Sequence, residues 1–375
     1  MNFEKKNSME IKKINRNIIY RLIYKSKKTS KQEIANRLGM SLPTVTQNLK
    51  ILKEEGLIME DGEFESTGGR KAKTIICIKD SKVSLGMDIT KNHISIVSVD
   101  LMGNIIKSNR VFKKFKNTDC YFKELNEILE NFVEDSKISR EKILGVGISV
   151  PGILSNDKRY VLYSHALELS NMECKNFDEF ISYSCVISND ANAASIAETW
   201  NLDDINNIVY ISLSNTVGGA ILLNNKIYEG GNQRSGEIGH MTIIPDGKGC
   251  YCGKKGCVDA YSSALCLSKH TNGNLEEFFN ILNKDNNKIK KVWDDYLNYL
   301  SIVINNLRML FDCNVILGGY VGAYMEKYFN DLKELVNNRN AFERESNFLR
   351  VCRYKKESSA VGAALIHIDK FINSI

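Results

Sequence analysis

No apolar run in this sequence approaches the roughly 18 residues that a membrane-spanning helix needs, so we expect no membrane partner. The N-terminal residues lack the apolar core of a signal peptide. Proline is scarce, with 3 residues in 375, whereas 26% charged and 9% aromatic residues exclude a largely disordered chain. The sequence predicts a cytoplasmic protein of two or three domains, whose 10 cysteines are free or metal-bound rather than paired in disulfides.

Positive charge is concentrated at the start of the chain. Residues 1–80 contain 17 Lys and Arg against 10 Asp and Glu, a net charge of +7, whereas residues 81–375 have a net charge of −1. A basic segment on a neutral body indicates an anionic partner such as nucleic acid, with a solvated basic tail as the alternative. The pattern inside the segment distinguishes the two.

Helix signals recur three times in this basic segment. Apolar residues at helical spacing predict a first amphipathic helix: Ile11, Ile14, Ile18 and Leu22. The capping pair Ser30 and Glu33 opens a second helix, which Gly39 ends. Ser41 can cap a third, and Asp61-Gly62 predicts the turn of a small β wing over residues 57–65. This order is that of a winged helix-turn-helix, which we assign to residues 1–80.

The third helix of such a domain enters the major groove of DNA. With its apolar residues facing inward, the candidates for base contacts are Thr44, Gln47 and Asn48. Ser41 and Lys50 are better placed for phosphates. We therefore expect double-stranded operator DNA as a partner.

A short segment after the wing, Ser66–Lys71, combines two glycines with Arg70 and Lys71. We interpret it as a flexible linker. Its two cations are also candidates for the minor groove, where a narrow A·T-rich tract attracts arginine. The wing itself carries four acidic residues, which disfavour a contact with phosphate.

The remaining chain repeats one pattern twice. Short β-rich runs, a helix, the buried strand 143–150 and a helix over 191–200 come first. A second series starts with a strand at 208–213 and ends with a helix over 359–368. This duplication predicts two α/β lobes, residues 81–200 and 201–375, with a cleft between them.

The sharpest chemical signal is a group of potential metal ligands. His240 is followed by Cys250, Cys252 and Cys257, with Gly253 and Gly256 allowing a tight knuckle. Three thiolates and an imidazole are the ligands of a closed, tetrahedral structural zinc site. We therefore predict zinc as a structural cofactor. The nearby Cys266 lies outside the compact pattern.

Carboxylates and amides flank this knuckle and the first lobe's last helix. They are Asn189, Asp190, Glu237 and Asp259. Such groups suit a polyhydroxylated ligand, because each hydroxyl both donates and accepts hydrogen bonds. Asp190 could act as a general base on a sugar hydroxyl or as the N-cap of a helix, and the residues alone leave both readings open.

These motifs together resemble the ROK family (repressor, open reading frame, kinase) over nearly the whole chain, and in particular its xylose-repressor-like regulators with an N-terminal winged helix. The residues that carry the resemblance are Asn189–Glu198, Glu237–His240 and Cys250–Cys257, with Pro151-Gly152, Leu317–Gly319 and Ala360–Ala364. The resemblance implies an actin-like, sugar-kinase-type body with a structural zinc. It also implies a sugar in the cleft near Asn189, Asp190, Glu237 and Asp259, with His240 as a zinc ligand that helps to form the sugar pocket.

Two loops depart from the family's kinases. Where kinases have Asp-x-Gly-x-Thr, this chain has Asp88–Asn92 without glycine, and the second phosphate loop reads Ser214–Ala220 with fewer glycines. Glycine lets backbone N–H groups approach phosphate oxygens, on which phosphoryl transfer depends. We therefore expect no kinase activity, with Asp190 kept as a sugar ligand at the degenerate catalytic position. Asp259 also departs, since the family usually has Glu there.

The function that follows is a sugar-responsive transcriptional regulator, most simply a repressor that a sugar in the cleft releases from its operator. A homodimer or higher homo-oligomer is expected, because such heads read two half-sites. The alternative is an ATP-dependent sugar kinase with a fused DNA-binding head.

Overall fold

The computed structural model describes residues 8–64, 72–202, 206–284 and 286–375. Three helices and a two-stranded sheet form an N-terminal unit, here called the head. Its elements are α1 (Ser8–Ser26), α2 (Lys31–Leu38), α3 (Leu42–Glu54), β1 (Ile58–Glu63) and β2 (Lys73–Cys77). The winged helix-turn-helix is therefore confirmed, with the predicted caps in place. Ser30 Oγ and Ser41 Oγ each accept a backbone N–H, and Gly39 ends α2 at φ 61°.

Helix α1 buries a different face from the one that Ile11, Ile14 and Ile18 suggest. Ile11, Ile14 and Ile18 are between 37% and 47% exposed. The buried face carries Ile19, Tyr20, Ile23 and Tyr24. Both stripes follow helical spacing, and the stripe with two aromatic rings removes more apolar surface from water when it is buried.

The wing is longer than predicted, because its second strand covers Lys73–Cys77. Asp61-Gly62 is part of β1, where the register with β2 shifts between Glu60 and Glu63. Gly62 has φ 74° and serves a β-bulge, not a hairpin turn, so that prediction is wrong. Residues 65–71 connect β1 to β2 in the chain. The predicted linker with Arg70 and Lys71 lies outside the described residues.

The first lobe is built on a five-stranded sheet of order β10-β6-β3-β4-β5. Its strands are β3 (Val83–Ile89), β4 (His93–Asp100), β5 (Ile105–Phe112), β6 (Ile143–Val150) and β10 (Cys185–Asn189). A smaller sheet has β7 (Ile153–Leu154), β8 (Tyr160–Ser164) and β9 (Leu169–Glu173). The helices are α4 (Asp119–Ser136), α5 (Lys175–Phe180) and α6 (Asp190–Thr199), with a 3-10 helix at Arg140–Lys142.

The second lobe repeats this plan on a five-stranded sheet of order β13-β12-β11-β14-β15. Its strands are β11 (Ile208–Leu213), β12 (Val217–Leu223), β13 (Lys226–Ile227), β14 (Asn314–Gly318) and β15 (Leu349–Val351). The helices are α7 (Asp259–Ser262), α8 (Ala264–Ser268), α9 (Leu275–Leu282), α10 (Asn287–Phe311), α11 (Gly319–Gly322) and α12 (Phe329–Asn337). Single 3-10 turns lie at Ile238–His240, Lys269–Thr271, Met325–Tyr328 and Lys355–Glu357. The duplicated α/β body is thus confirmed.

The last helix, α13 (Ser358–Ser374), packs on the first lobe although it follows the second in the chain. A Cβ added to Gly86 or Gly147 of the first sheet would lie 1.9 Å from a carbonyl oxygen of α13. Strand and helix backbones therefore touch, which glycine alone permits at these positions. The predicted division at residue 200 does not account for this return of the chain.

A helix with the length and apolar character of a membrane span is absent from the described ranges.

Candidate functional site

A cavity of about 460 Å³ lies between the two lobes. Pro151 and Gly152 line it from the first lobe, and Gly218 and Gly219 from the second. Four of the five predicted sugar ligands also line it: Asn189, Asp190, Glu237 and His240. The fold therefore brings together residues that are distant in the sequence, from Pro151 to Tyr251. The volume is that of a small-molecule site.

Asn189, not Asp190, caps helix α6. Its Oδ1 accepts the Asn192 backbone N–H at 2.9 Å, and its Nδ2 donates to the Gly152 carbonyl oxygen at 3.0 Å. Asp190 is therefore not the N-cap of this helix. Asp190 is the first residue of the helix, and its carboxylate lines the cavity.

Two partly buried carboxylates, those of Asp190 and Asp88, repel each other, and Asp190 lines the cavity. Burial, followed by repulsion from Asp88, raises the pKa of Asp190 to about 7. Burial also raises the pKa of Asp88 to about 6, although Ser149 Oγ donates a hydrogen bond of 2.6 Å to its Oδ1. Near neutral pH Asp190 can therefore donate or accept a hydrogen bond, which suits a sugar hydroxyl.

Glu237 and His240 face the cavity from the 3-10 turn of the second lobe. Glu237 Oε2 lies 3.9 Å from His240 Nε2, and burial raises the pKa of the Glu237 carboxyl. Asp259, the fifth predicted sugar ligand, is not among the described residues that line the cavity. Its Oδ1 accepts the Val217 backbone N–H at 2.5 Å, and the side chain is 6% exposed. The shorter carboxylate thus ties α7 to the start of β12.

The four predicted metal ligands converge next to the cavity. The ligand atoms of His240, Cys250, Cys252 and Cys257 all lie within 4.8 Å of one another. Gly256 has φ 81°, and a Cβ there would lie 1.8 Å from the Ile244 carbonyl oxygen, so the knuckle requires glycine at this point.

The surroundings of this group fit a metal. His240 Nδ1 is buried and has no hydrogen-bond partner among the residues that the structure describes, as expected of a nitrogen that coordinates an ion. Cys266 is excluded as a competitor, because its Sγ lies within hydrogen-bond distance of Ser263 Oγ and the Asp259 carbonyl oxygen. The group can hold a metal with three sulfur ligands and one nitrogen ligand.

Tyr251 and His165 are site residues that sequence reasoning missed. Tyr251 Oη lies 3.2 Å from His240 Nε2, and its ring stacks on His165 with 4.0 Å between centroids. Both rings line the cavity, and each belongs to a different lobe. The position of Tyr251 between two metal ligands is a signal that could have identified it, whereas His165 carries no local signal. Across the cleft, Lys158 of the first lobe also forms an ion pair with Glu229 of the second lobe.

The exposed face of α3 differs in part from the predicted one. Gln47 and Lys50 are exposed, and so is Ser41 at the N-cap. Asn48 is only 6% exposed, and its Nδ2 donates to the Thr44 carbonyl oxygen at 2.8 Å, so its predicted outward position is wrong. Thr44 is half-buried, and its Oγ1 lies 2.9 Å from Ser41 Oγ.

Thr46 is the exposed residue that the sequence analysis passed over. It shares a helical face with Pro43, Gln47 and Lys50, because Thr46, Gln47 and Lys50 lie three, four and seven residues after Pro43. That spacing is the signal that could have identified it. The exposed face of α3 therefore carries Pro43, Thr46, Gln47 and Lys50, with Ser41 at its start.

A model described as "ROK family" matches residues 84–370. The chain belongs to the ROK family. A model described as "Winged helix-turn-helix DNA-binding" matches residues 12–59 of the head. The head and the body are thus matched by two separate family models.

Curated relatives of this chain include proteins that are named as regulators. The chain is 25% identical over 375 residues to the "Xylose repressor" of Bacillus subtilis (strain 168), with 97% of each chain covered. It is 22% identical to the "DNA-binding transcriptional dual regulator NagC" of Escherichia coli (strain K12), with 69% of this chain and 64% of that protein covered.

Solved ROK structures share the fold. The ROK family transcriptional regulator described as a homologue of the E. coli MLC protein has a TM-score of 0.75 at 20% identity, with 97% of each chain covered. The ROK hexokinase from Thermus thermophilus has a TM-score of 0.63 at 23% identity, with 78% of this chain and 99% of that chain covered. The length of chain matched by the hexokinase corresponds to the body alone, whereas the match to the regulator includes the head.

Hydrogen bonds and an ion pair hold the two loops that the sequence predicts to differ from those of ROK kinases. In the first, Thr90 Oγ1 accepts the His93 backbone N–H at 3.1 Å, and Lys91 forms an ion pair with Glu168. In the second, the Ser214 carbonyl oxygen accepts the Ala264 backbone N–H at 2.8 Å. None of the described residues from 214 to 220 has the positive φ that glycine favours.

Proposed function

We propose that this protein is a sugar-responsive transcriptional regulator, and most simply a repressor. One observation carries the proposal. The same chain joins a DNA-binding head, with polar side chains exposed on α3, to a cavity lined by carboxylate, amide and imidazole groups. Relatives named as repressors of xylose and N-acetylglucosamine genes support this reading.

The cavity groups suit a sugar. Asp190 and Glu237 offer oxygen acceptors, Asn189 offers an amide, and His240 offers a ring nitrogen. A sugar bound there contacts both lobes and favours the conformation in which they are closed on it. Because a ligand shifts an equilibrium only by its differential affinity, this closed form must bind operator DNA more weakly.

The DNA contacts are assigned to the exposed face of α3. Gln47 is the candidate for adenine, Thr46 for a thymine methyl, and Ser41 and Lys50 for phosphates. Arg70 and Lys71 remain candidates for the minor groove. The protein would act as a homodimer or higher homo-oligomer in the cytoplasm, since two heads are needed for two half-sites.

The metal group would hold zinc in a structural role. His240, Cys250, Cys252 and Cys257 would supply a closed ligand set, with no position left for a catalytic water. When bound, the metal fixes the imidazole of His240, and through it one wall of the cavity. The remaining nitrogen of that ring faces Tyr251 and is available to position a sugar hydroxyl.

A sugar kinase of the ROK family is the second candidate function. The observation that favours it is Asp190, which stands at the position of the kinase base and has a raised pKa. The first loop, which lacks glycine, and the glycine-poor second loop argue against kinase activity, because they offer few backbone N–H groups to a phosphate. Formation of ADP in a coupled assay with sugar and ATP-Mg would decide in favour of the kinase.

A thermal-shift screen followed by a DNA-release assay tests the proposal. Zinc-loaded protein is screened against pentoses, hexoses, N-acetylhexosamines and their phosphates, and a duplex selected from a random library with the protein serves as operator. We expect one sugar to raise the melting temperature and to release the duplex. Asp190→Asn should lose only sugar binding, and Gln47→Ala should lose only DNA binding. If both variants lose both activities, the two-module function is wrong.

A further inference from the structure

Helix α6 connects the cavity directly to the head. It begins at Asp190, whose carboxylate lines the cavity, and ends at Thr199, next to Trp200. Ten helical residues span about 15 Å. A single rigid element therefore has one end in the sugar site and the other end at the surface on which the head is docked.

The contact at the far end is a chain of two hydrogen bonds. Trp200 Nε1 donates to Tyr24 Oη at 2.9 Å, and Tyr24 Oη donates to the Leu101 carbonyl oxygen at 2.7 Å. Tyr24 belongs to α1 of the head and is 7% exposed. Trp200 and Leu101 belong to the first lobe. The tyrosine hydroxyl thus joins the head to the first lobe by two hydrogen bonds.

Helix α6 is locked to α13, which also contacts the head. A Cβ added to Gly362 of α13 would lie 1.6 Å from the Ala193 carbonyl oxygen of α6. Glu198 of α6 accepts the Tyr354 backbone N–H at 3.0 Å and the Ser358 hydroxyl at 2.8 Å, at the start of α13. At the other end of α13, the Ile372 carbonyl oxygen accepts the Asn17 side-chain amide of α1 at 2.5 Å.

We propose that α6 transmits the state of the sugar cavity to the DNA-binding head, and that the contact between Trp200 and Tyr24 carries this coupling. The inference deepens the proposed function and rests on it. Trp200 and Tyr24 are positioning residues. They touch neither sugar nor DNA, but they set the position of α1, on which α3 packs.

The hydrogen-bond geometry makes this contact sensitive to small movements. Packing against α13 prevents α6 from bending or sliding alone, so a shift at Asp190 moves Trp200 as well. This hydrogen bond has a donor–acceptor distance of 2.9 Å. It weakens when a movement of a few tenths of an ångström takes that distance beyond about 3.2 Å. Loss of one such bond corresponds to about a fivefold change in an equilibrium constant.

The test compares operator affinity with and without sugar in the full-length, zinc-loaded protein. The variants are Trp200→Phe and Tyr24→Phe, which keep an aromatic ring and remove the hydrogen bond. The matched controls are Trp293→Phe in the second lobe and Tyr20→Phe one turn earlier on α1. The probes are D-xylose, D-glucose and N-acetylglucosamine, with the duplex selected by the wild-type protein.

We expect both junction variants to keep the wild-type affinity for sugar alone and for duplex alone. The ratio of duplex Kd values with and without sugar should fall about fivefold, and it should stay at the wild-type value in both controls. By reciprocity, the effect of duplex on sugar affinity should shrink by the same factor. A junction that only supports the fold would change the melting temperature and leave this ratio untouched.

A second measurement uses the fact that the chain has 2 Trp. In Trp293→Phe, Trp200 is the remaining tryptophan and reports on the junction by fluorescence. Sugar should change its emission although the cavity residues are a helix length away. The same sugar should leave the emission of Trp293 unchanged in Trp200→Phe.

The outcomes separate this inference from the function on which it rests. If none of the three sugars changes the duplex affinity of the wild type, the proposed function fails and the inference fails with it. If a sugar releases the wild type and both junction variants equally, and Trp200 fluorescence stays constant, the function stands and the inference alone is overturned.

Discussion

Replacing Asp190 by Asn should stabilise the unliganded protein, and the gain should grow with pH. Burial and repulsion from Asp88 raise the pKa of Asp190 from 3.8 to about 7. Below pH 3.8 the carboxyl group is protonated in both the folded and the unfolded chain. Between 3.8 and about 7 it is ionised in the unfolded chain only, so the wild-type free energy of unfolding falls as pH rises.

The size of the effect follows from the width of that interval. One pKa unit corresponds to about 1.4 kcal/mol. From pH 5 to pH 8 the wild type should therefore lose about 3 kcal/mol relative to Asp190→Asn, and above pH 8 the difference should be constant. For a chain of this length, this loss corresponds to roughly 5 °C in the unfolding midpoint.

Circular dichroism melting curves of both proteins between pH 5 and pH 8.5 measure this difference. Asp135→Asn, which removes an exposed carboxylate from α4, is the control and should track the wild type at every pH. A difference that stays flat or shrinks as pH rises would refute the reasoning, because Asp190 would then ionise at its ordinary pKa. Asp190→Asn should also fail to bind sugar at every pH in this range, so its gain in stability would come with a loss of sugar binding.

Four further predictions concern the metal group, the head and the packing of α13. Cys252→Ser should lose the metal and lower the unfolding midpoint, since metal binding contributes to folding; full zinc content by atomic absorption would contradict this. Gln47→Ala should weaken duplex binding by about 1–3 kcal/mol in anisotropy titrations. Asn48→Ala should instead lower head stability by about 1 kcal/mol, seen as a lower melting temperature. Gly362→Ala should cost more than about 2 kcal/mol in urea unfolding, and a stable variant would show that α6 and α13 can separate.

Features encoded by neighbouring residues could be predicted from the sequence. The caps at Ser30 and Ser41 follow from side chains that reach a backbone N–H three residues on, and both are present. The metal group was predictable because its cysteines lie within eight residues and share one knuckle. Asn189 and Asp190 were placed correctly at a strand end, although only the structure shows which of the two caps the helix.

Features that depend on distant segments could not be predicted. The buried face of α1 is decided by the body, where Tyr24 meets Trp200. Helical spacing fits the stripe with Ile14 equally well. The hydrogen bond from the Asn48 side chain to the Thr44 carbonyl oxygen, one turn earlier, holds that side chain away from the surface. The stack of His165 on Tyr251 joins residues from different lobes, and neither position carries a signal for the other.

The place of α13 has a consequence for the order in which the molecule can be made. Strands β3 and β6 are synthesised more than two hundred residues before the helix that covers Gly86 and Gly147. Pairing so distant in the chain is slow, and the uncovered sheet is exposed to aggregation until α13 emerges from the ribosome. The head, built from local contacts, can fold long before that. We therefore expect a nascent chain to be able to bind DNA before it can respond to sugar.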